Sequence, residues 1–261
     1  MSKGSVRALS GTTPDFVYKP HCCADCAIRH RAVCSYSTPA ELALLEQTKF
    51  YRNYEPGAEI VTEGENTKVL GSVIDGVVAL QKTLADGRRQ IVGLVFPSDF
   101  IGRPLRPIAP YDAVAVTPVR MCLFDRSKFE AILAENANLE RRLLEMMLDE
   151  LDAAREWMLL LGRKTATEKL SSFLMILSRR ASALNGMPVA NGLEVPIPLT
   201  REAIAEFLGL TIETVSRQFS LLRKRKVVDL PSKRAVIILD ATELQTLAGS
   251  GWEDVSTNAV A

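Results

Sequence analysis

At Asp125 the hydrophobic period of the chain changes, and no other feature restricts the possible folds as much. From Phe50 up to that point, short apolar runs alternate with turn signals: Pro56-Gly57, Glu63-Gly64-Glu65-Asn66, Asp75-Gly76, Asp86-Gly87 and Pro97-Ser98-Asp99. This spacing predicts strands over 69–74, 77–80, 90–96 and 120–124 in a small antiparallel β-barrel or jelly roll, entered through a short helix over 38–47. Beyond it the period becomes helical. Leu144, Met147, Leu151, Ala154, Met158 and Leu161 recur with 3-4-3-4-3 spacing, the seam of a coiled coil. Such a stripe can also pack on its own domain. Its place between two domains, and its flanks Glu145, Asp149, Glu150, Asp152, Arg155 and Glu156, favour a parallel homodimer helix.

Gly162-Arg163-Lys164 then marks a hinge. A further amphipathic helix is expected over 165–182, with Leu170, Phe173, Leu174 and Ile176 or Leu177 inward, followed by a Gly- and Pro-rich loop over 185–198. Thr200 is suited to cap a helix over 201–208, Gly209 to make a sharp turn, and Thr211 to cap a second helix reaching about Arg225. That is a helix-turn-helix pattern. In the second helix Ile212, Val215, Phe219 and Leu222 share one face, leaving Glu213, Ser216, Arg217 and Ser220 on the other. An arginine there can grip guanine O6 and N7, a glutamate can accept from cytosine N4, and a serine is small enough for close approach. Arg223-Lys224-Arg225-Lys226 suits phosphates. From Arg163 to Asp240 thirteen Lys/Arg stand against seven Asp/Glu, although the whole chain carries only +1. Runs over 227–230 and 234–239 around Pro231-Ser232-Lys233 predict the hairpin of a winged helix. The small, polar tail beyond Gly249 predicts disorder.

The remaining signal is sulfur. Cys23, Cys26 and Cys34 crowd the N-terminal part, and a lone Cys122 lies in a predicted strand. Four thiolates complete the ligand shell of either an iron–sulfur cluster or a zinc ion, leaving no open position for substrate. Spacing alone leaves the two metals open. Cys22 competes with Cys23 as a ligand, in the register C-x3-C against C-x2-C, and His21 and His30 lie in the same stretch. Residues 1–20 lack the apolar core of a signal peptide, and no run approaches a membrane span, so a cytoplasmic address is expected. In that reducing compartment the five cysteines read as metal ligands or redox groups rather than disulfides. An iron–sulfur enzyme would need an open iron or a pocket with paired acid and base groups. Neither is visible, since both histidines fall among the cysteines.

A β-roll, a long helix and a winged helix-turn-helix in that order resemble the Crp/Fnr superfamily over nearly the whole chain. Glu213-Thr214-Val215-Ser216-Arg217 resembles the E-x-x-S-R of the FNR group's recognition helix, and Trp157-Met158-Leu159-Leu160-Leu161-Gly162-Arg163-Lys164 is similar to the FnrL branch. The resemblance implies a [4Fe-4S] cluster on Cys23, Cys26, Cys34 and Cys122, and TTGAT-like palindromic sites read by Glu213, Ser216 and Arg217. It also implies RNA polymerase as a partner and inactivation by oxygen through a [2Fe-2S] form. The C-x2-C-x7-C spacing departs from the commonest FNR pattern, C-x2-C-x5-C. Some members carry an acid in the seam where this chain has Ala154. The stretches that hold a cyclic nucleotide in Crp-type members correspond to Gly102-Arg103-Pro104-Leu105 and Tyr111-Asp112-Ala113, which lack the glutamate and the phosphate-binding arginine.

The expected organisation is therefore α+β and non-enzymatic: a cysteine-rich segment over 1–40, a β-barrel or jelly-roll sensor domain over 41–135, and a dimerisation helix over 136–162. A winged helix-turn-helix follows over 163–245 and a tail over 246–261. No cyclic nucleotide and no membrane contact are expected. A regulator with a structural zinc and another effector is the alternative.

Overall fold

The computed structural model describes residues 23–185 and 189–249, so Cys22, His21 and the tail beyond Gly249 lie outside the described residues. Thr38 caps α1 (Pro39–Thr48) in a reciprocal box with Glu41, and Pro39 sits where its missing N–H costs nothing. The strands are β1 (Lys49–Tyr54), β2 (Glu59–Val61), β3 (Val69–Asp75), β4 (Val78–Thr83), β5 (Arg89–Val95), β6 (Phe100–Ile101), β7 (Asp112–Ala115) and β8 (Val119–Asp125). They form two antiparallel sheets, ordered β1-β8-β3-β6 and β2-β7-β4-β5. The sheets face each other across Val73, Val78, Leu80, Val95, Ile101, Met121 and Leu123 without closing into one barrel, so the unit is a jelly roll.

The first sheet buries its outer face as well. Leu70, Phe124 and Phe100 meet Val33, Leu45, Phe129, Leu133, Leu139 and Leu143 from the cysteine segment, α1, α2 (Arg126–Glu135) and α3 (Ala137–Arg163). Phe129, fully buried, has its ring centroid 5.5 Å from that of Phe100 and 5.3 Å from that of Phe124. The helical stretch after Asp125 is thus two helices, broken at Asn136, whose extended backbone stops the first.

α4 (Ala166–Asn185) buries Leu170, Phe173, Leu174 and Leu177. The 185–198 loop contains β9 (Glu194–Pro196), which pairs with β11 (Ala235–Ile238), itself paired with β10 (Val228–Ser232), so the wing has three strands. α7 (Ala241–Ala248) takes in the first three residues of the expected tail, 246–248, because Leu244 and Ala248 are buried on the α4 core. That core does not stop at the domain boundary. Ala79, Ile91 and Phe96 of the jelly roll share it with Phe173, Phe207 and Phe219.

Candidate functional site

Alternation along β8 sends Met121 and Leu123 into the inter-sheet core and turns Cys122 to the outer face. There Cys122 lies in register between Tyr51 of β1 and Ser72 of β3. The strands approach so closely at this point that a Cβ on Gly71 would come within 2.1 Å of the Cys122 carbonyl oxygen, which requires glycine.

Over this face runs the segment 23–36, wound into successive turns by Arg29 N–H to Cys26 O (3.0 Å), Ala32 N–H to Ile28 O (2.9 Å) and Ser35 N–H to Ala32 O (3.0 Å). Ile28 and Ala32 are buried against Ile74, and Cys26, Cys34 and Cys122 pack on the same cluster. Cys23 completes the set. Burial pushes the Cys34 thiol up to about 11 and the Cys122 thiol up to about 12, and in both cases the neighbouring thiols push the same way. Cys23 is also raised, chiefly by burial, although the Lys49 ammonium opposes the shift by donating to its Sγ at 3.3 Å. All four expected ligands therefore converge from two distant stretches, while His30 is exposed.

Several features of this site fit a soft, sulfur-bound guest. The donors are four thiols, and the Ser72 hydroxyl, in register with Cys122, is buried with no hydrogen-bond partner. Among the described residues no three His, Cys, Asp or Glu side chains close on one metal ion. Lys49, Tyr51 and Ser72 were not legible as site residues. Their signal is register with Cys122, which needs the sheet order.

The segment is tied onward. Arg142 of α3 donates to the Arg31 carbonyl at 2.8 Å and lies 5.6 Å from the Tyr36 ring centroid. Ser98 donates to the Ile28 carbonyl at 3.5 Å, and its neighbour Asp99 pairs with Arg180 of α4 at 3.2 Å. A cavity of about 370 Å³ lies between these elements, lined among others by Phe96, Asp99, Met146, Ala154, Trp157 and Arg180.

Along α3, Leu144, Leu151, Ala154 and Met158 are exposed, with Met158 at 73%, which leaves an apolar stripe uncovered within one chain. Two seam residues differ. Met147 packs against the Phe129 cluster and Leu161 against the α4 core, because a 3.6-residue helix rotates them toward their own domain. Leu148 and Leu159 take up the exposed stripe instead.

The second constellation is on α5 (Arg201–Leu208) and α6 (Ile212–Lys224). Thr200 accepts from Ala203 N–H and Thr211 from Thr214 N–H, while Gly209 turns the chain at φ 61°, a left-handed conformation suited to glycine. Val215, Phe219 and Leu222 are buried. Ile212, expected beside them, is the first residue of α6 and is 44% exposed. Glu213, Ser216 and Arg217 all face solvent, as do Arg223, Lys224, Arg225 and Lys226 past them. Arg201 stacks beneath this helix with its guanidinium 3.4 Å from the Phe219 ring centroid.

In the stretches that correspond to those holding a cyclic nucleotide in Crp-type members, Asp112 accepts from Glu63 N–H at 2.7 Å and the Arg103 carbonyl accepts from Arg126 at 2.8 Å; Arg126 also donates to Thr67 O at 2.6 Å and Glu130 at 2.9 Å. The cavity beside them measures only about 10 Å³, against the roughly 300–1,000 Å³ of small-molecule sites. No helix among the described residues is long and apolar enough to cross a membrane.

Comparison with known proteins places these elements. Residues 51–136 match the cyclic nucleotide-binding domain and residues 168–247 the Crp-like helix-turn-helix domain. The chain is 50% identical to the transcriptional activator protein FnrL of Cereibacter sphaeroides over 229 residues, covering 88% of this chain and 92% of that protein. It is 38% identical to the nitrogen fixation regulation protein FixK of Bradyrhizobium diazoefficiens over 230 residues, covering 88% and 95% respectively. The structure of FixK2 from Bradyrhizobium japonicum superposes with a TM-score of 0.71 at 32% identity, over 78% of this chain and 98% of that one. With a jelly roll, a long helix bearing an exposed apolar stripe, and a winged helix presenting Glu213, Ser216 and Arg217, the chain belongs to the Crp/Fnr family of DNA-binding transcription regulators.

Proposed function

We propose that this regulator is an FnrL-type transcriptional activator that responds to oxygen. In this reading it holds a [4Fe-4S] cluster on Cys23, Cys26, Cys34 and Cys122 and binds a palindromic TTGAT-like operator as a homodimer while the cluster is intact. The observation that carries the reading is the convergence of four thiols from residues 23–34 and from β8 onto one face of the first sheet. A four-thiol set suits either an iron–sulfur cluster or a structural zinc, and the resemblance of the chain to the FNR group favours the cluster. The small cavity at Arg126 and the missing phosphate-binding arginine argue against a cyclic nucleotide as effector.

The protein's own part of the mechanism is to couple that pocket to the helix. Cys34 lies just past Arg31, whose carbonyl Arg142 grips, so the position of the cysteine segment bears directly on the first turns of α3. Holding the segment fixes α3 with its stripe of Leu144, Leu148, Leu151 and Met158 aligned for a second copy. Two parallel chains then present two α6 helices to successive major grooves, with Arg217 gripping guanine, Glu213 cytosine, and Lys224 with its neighbours the phosphates. RNA polymerase is the partner that an activator at such a site requires. Moving a two-state equilibrium from 1:99 to 99:1 takes about 5.5 kcal/mol, within what coupled metal binding supplies. Ala154 puts no like charge into the seam, so the cluster-free protein is expected to remain partly dimeric and to lose DNA affinity through helix reorientation.

The test is anaerobic isolation, with iron and sulfide content, visible spectrum and operator affinity measured before and after air. Colourless, iron-free protein that still binds its operator sinks the reading. Size-exclusion of the two states separates monomerisation from reorientation.

A further inference from the structure

We infer that the Ser98-Asp99 turn is a relay from the cysteine segment to the DNA-reading domain, one that reaches the recognition helix without passing through α3. This rests on the cluster reading and deepens it, since it names positioning residues through which a filled site sets operator affinity. The first contact is among the sulfurs. Ile28, between Cys26 and Cys34 in the chain, is buried in the cluster on which Cys122 packs, and its carbonyl accepts from the Ser98 hydroxyl at 3.5 Å.

Ser98 is itself buried and has a φ of 80°, in the left-handed region that glycine enters freely and other residues rarely occupy. Backbone bonds lock the turn in that shape: Ser98 N–H to Val73 O at 2.9 Å and Val73 N–H to Asp99 O at 3.1 Å. A serine held where glycine fits better points to a use for its side chain.

The next residue crosses to the other domain. Asp99 accepts from Phe96 N–H at 2.9 Å with one carboxylate oxygen and from Arg180 of α4 at 3.2 Å with the other, while the Arg180 guanidinium lies 4.8 Å from the Phe96 ring centroid. Both members of the ion pair are partly shielded from solvent, which limits its screening. Arg31, three residues before Cys34, interacts electrostatically with Asp99 as well. α4 in turn carries both helices of the reading head. Thr167 donates its hydroxyl to the Gln218 side-chain carbonyl of α6 at 2.7 Å, and the buried Lys169 ammonium donates to Leu208 O, at the end of α5, at 3.1 Å. A displacement of the cysteine segment is thus passed through contiguous polar contacts to the axis of α6, whether or not two copies separate.

The readout is the ratio of operator affinities of the loaded and metal-free forms of the full chain, isolated without oxygen and titrated at one salt concentration. Asp99→Asn and Arg180→Met are each expected to lower that ratio roughly fivefold to tenfold, at the lower end of measured site-to-site couplings. The double variant should lower it no further, because both changes break one link. Ser98→Gly should lower it too, with the thermal midpoint unchanged or raised, since glycine relieves the left-handed backbone. A merely structural hydroxyl would lower the midpoint and spare the ratio. Arg89→Met is the control: its ion pair with Glu206 crosses the same joint but joins β5 to α5 rather than to α4, so the ratio should stay at the wild-type value. An unchanged ratio in any of the three relay variants overturns the inference, as does an equal fall in Arg89→Met. Wild-type protein that carries no iron, or that binds its operator equally well with and without it, overturns the cluster reading and the relay with it.

Discussion

Replacing Arg142 by Met tests whether the cysteine segment acts on the long helix. The substitution keeps the apolar length of a side chain that is 18% exposed and removes the guanidinium that holds the Arg31 carbonyl at 2.8 Å. A hydrogen bond from a charged donor contributes about 1.5–3 kcal/mol. The contact with Glu145, at 3.6 Å and partly solvated, adds little. The Tyr36 contact adds about 0.5–1 kcal/mol on an exposed ring. These contributions are not additive, and a total of about 2–3 kcal/mol is reasonable. At 1.4 kcal/mol per decade, operator affinity of the anaerobic variant falls roughly 30- to 100-fold if the whole loss reaches the DNA-binding equilibrium. The assay is a titration of a palindromic duplex at fixed salt, because affinity without a stated salt concentration has no meaning. Limited proteolysis of residues 23–36 runs alongside it. Unchanged affinity, with the segment still protected, would show that this contact transmits nothing.

Arg217→Ala is expected to cost about 1–3 kcal/mol at a cognate duplex and little at a scrambled one, whereas Lys224→Ala should weaken both alike; equal discrimination before and after the Arg217 change refutes its base-reading role. Leu151→Asp places a charge in the exposed stripe of α3. Since burying a leucine contributes about 1.5–3 kcal/mol and two copies are affected, sedimentation equilibrium should show self-association weakened by at least about a hundredfold; an unchanged dimer moves the interface elsewhere. Cys122→Ser should abolish iron retention and visible colour while leaving far-ultraviolet circular dichroism intact, and a coloured variant removes Cys122 from the ligand set. Phe129→Ala, at a fully buried ring between Phe100 and Phe124, should lower unfolding free energy by about 3–5 kcal/mol in denaturant titration.

Much of this architecture is legible in the chain because its signals are local. Thr200, Gly209 and Thr211 punctuate α5 and α6 within a few residues, and the caps form as their chemistry requires. The turn dipeptides delimit the strands for the same reason. What escaped depends on rotation or on distant partners. A 3-4 seam and a 3.6-residue face differ by a small angle per heptad, enough to turn Met147 and Leu161 inward and Leu148 and Leu159 outward. Ile212 carries the right periodicity but opens α6, where it is left 44% exposed. The last residues of α7, 246–248, fall in the expected tail, yet the helix is held by Leu244 and Ala248 against a helix far back in the chain. Cys122, flanked by Met121 and Leu123, resembles an interior residue until the strand's alternation is placed in its sheet.

The hydrophobic interior shared by Ile91, Ala79 and Phe96 with Phe173 and Phe207 has a consequence for the molecule's mechanics. A reader head joined to its receiver by a loose tether could be cut free and still work; this one could not, since excision would bare the apolar ground on which β5 rests. Arg89–Glu206 at 3.0 Å and the stacked Trp157 and Phe207 rings, 4.0 Å apart, brace the same joint. Strain arriving from either half is therefore felt by one continuous solid, and heat should melt both halves in a single step.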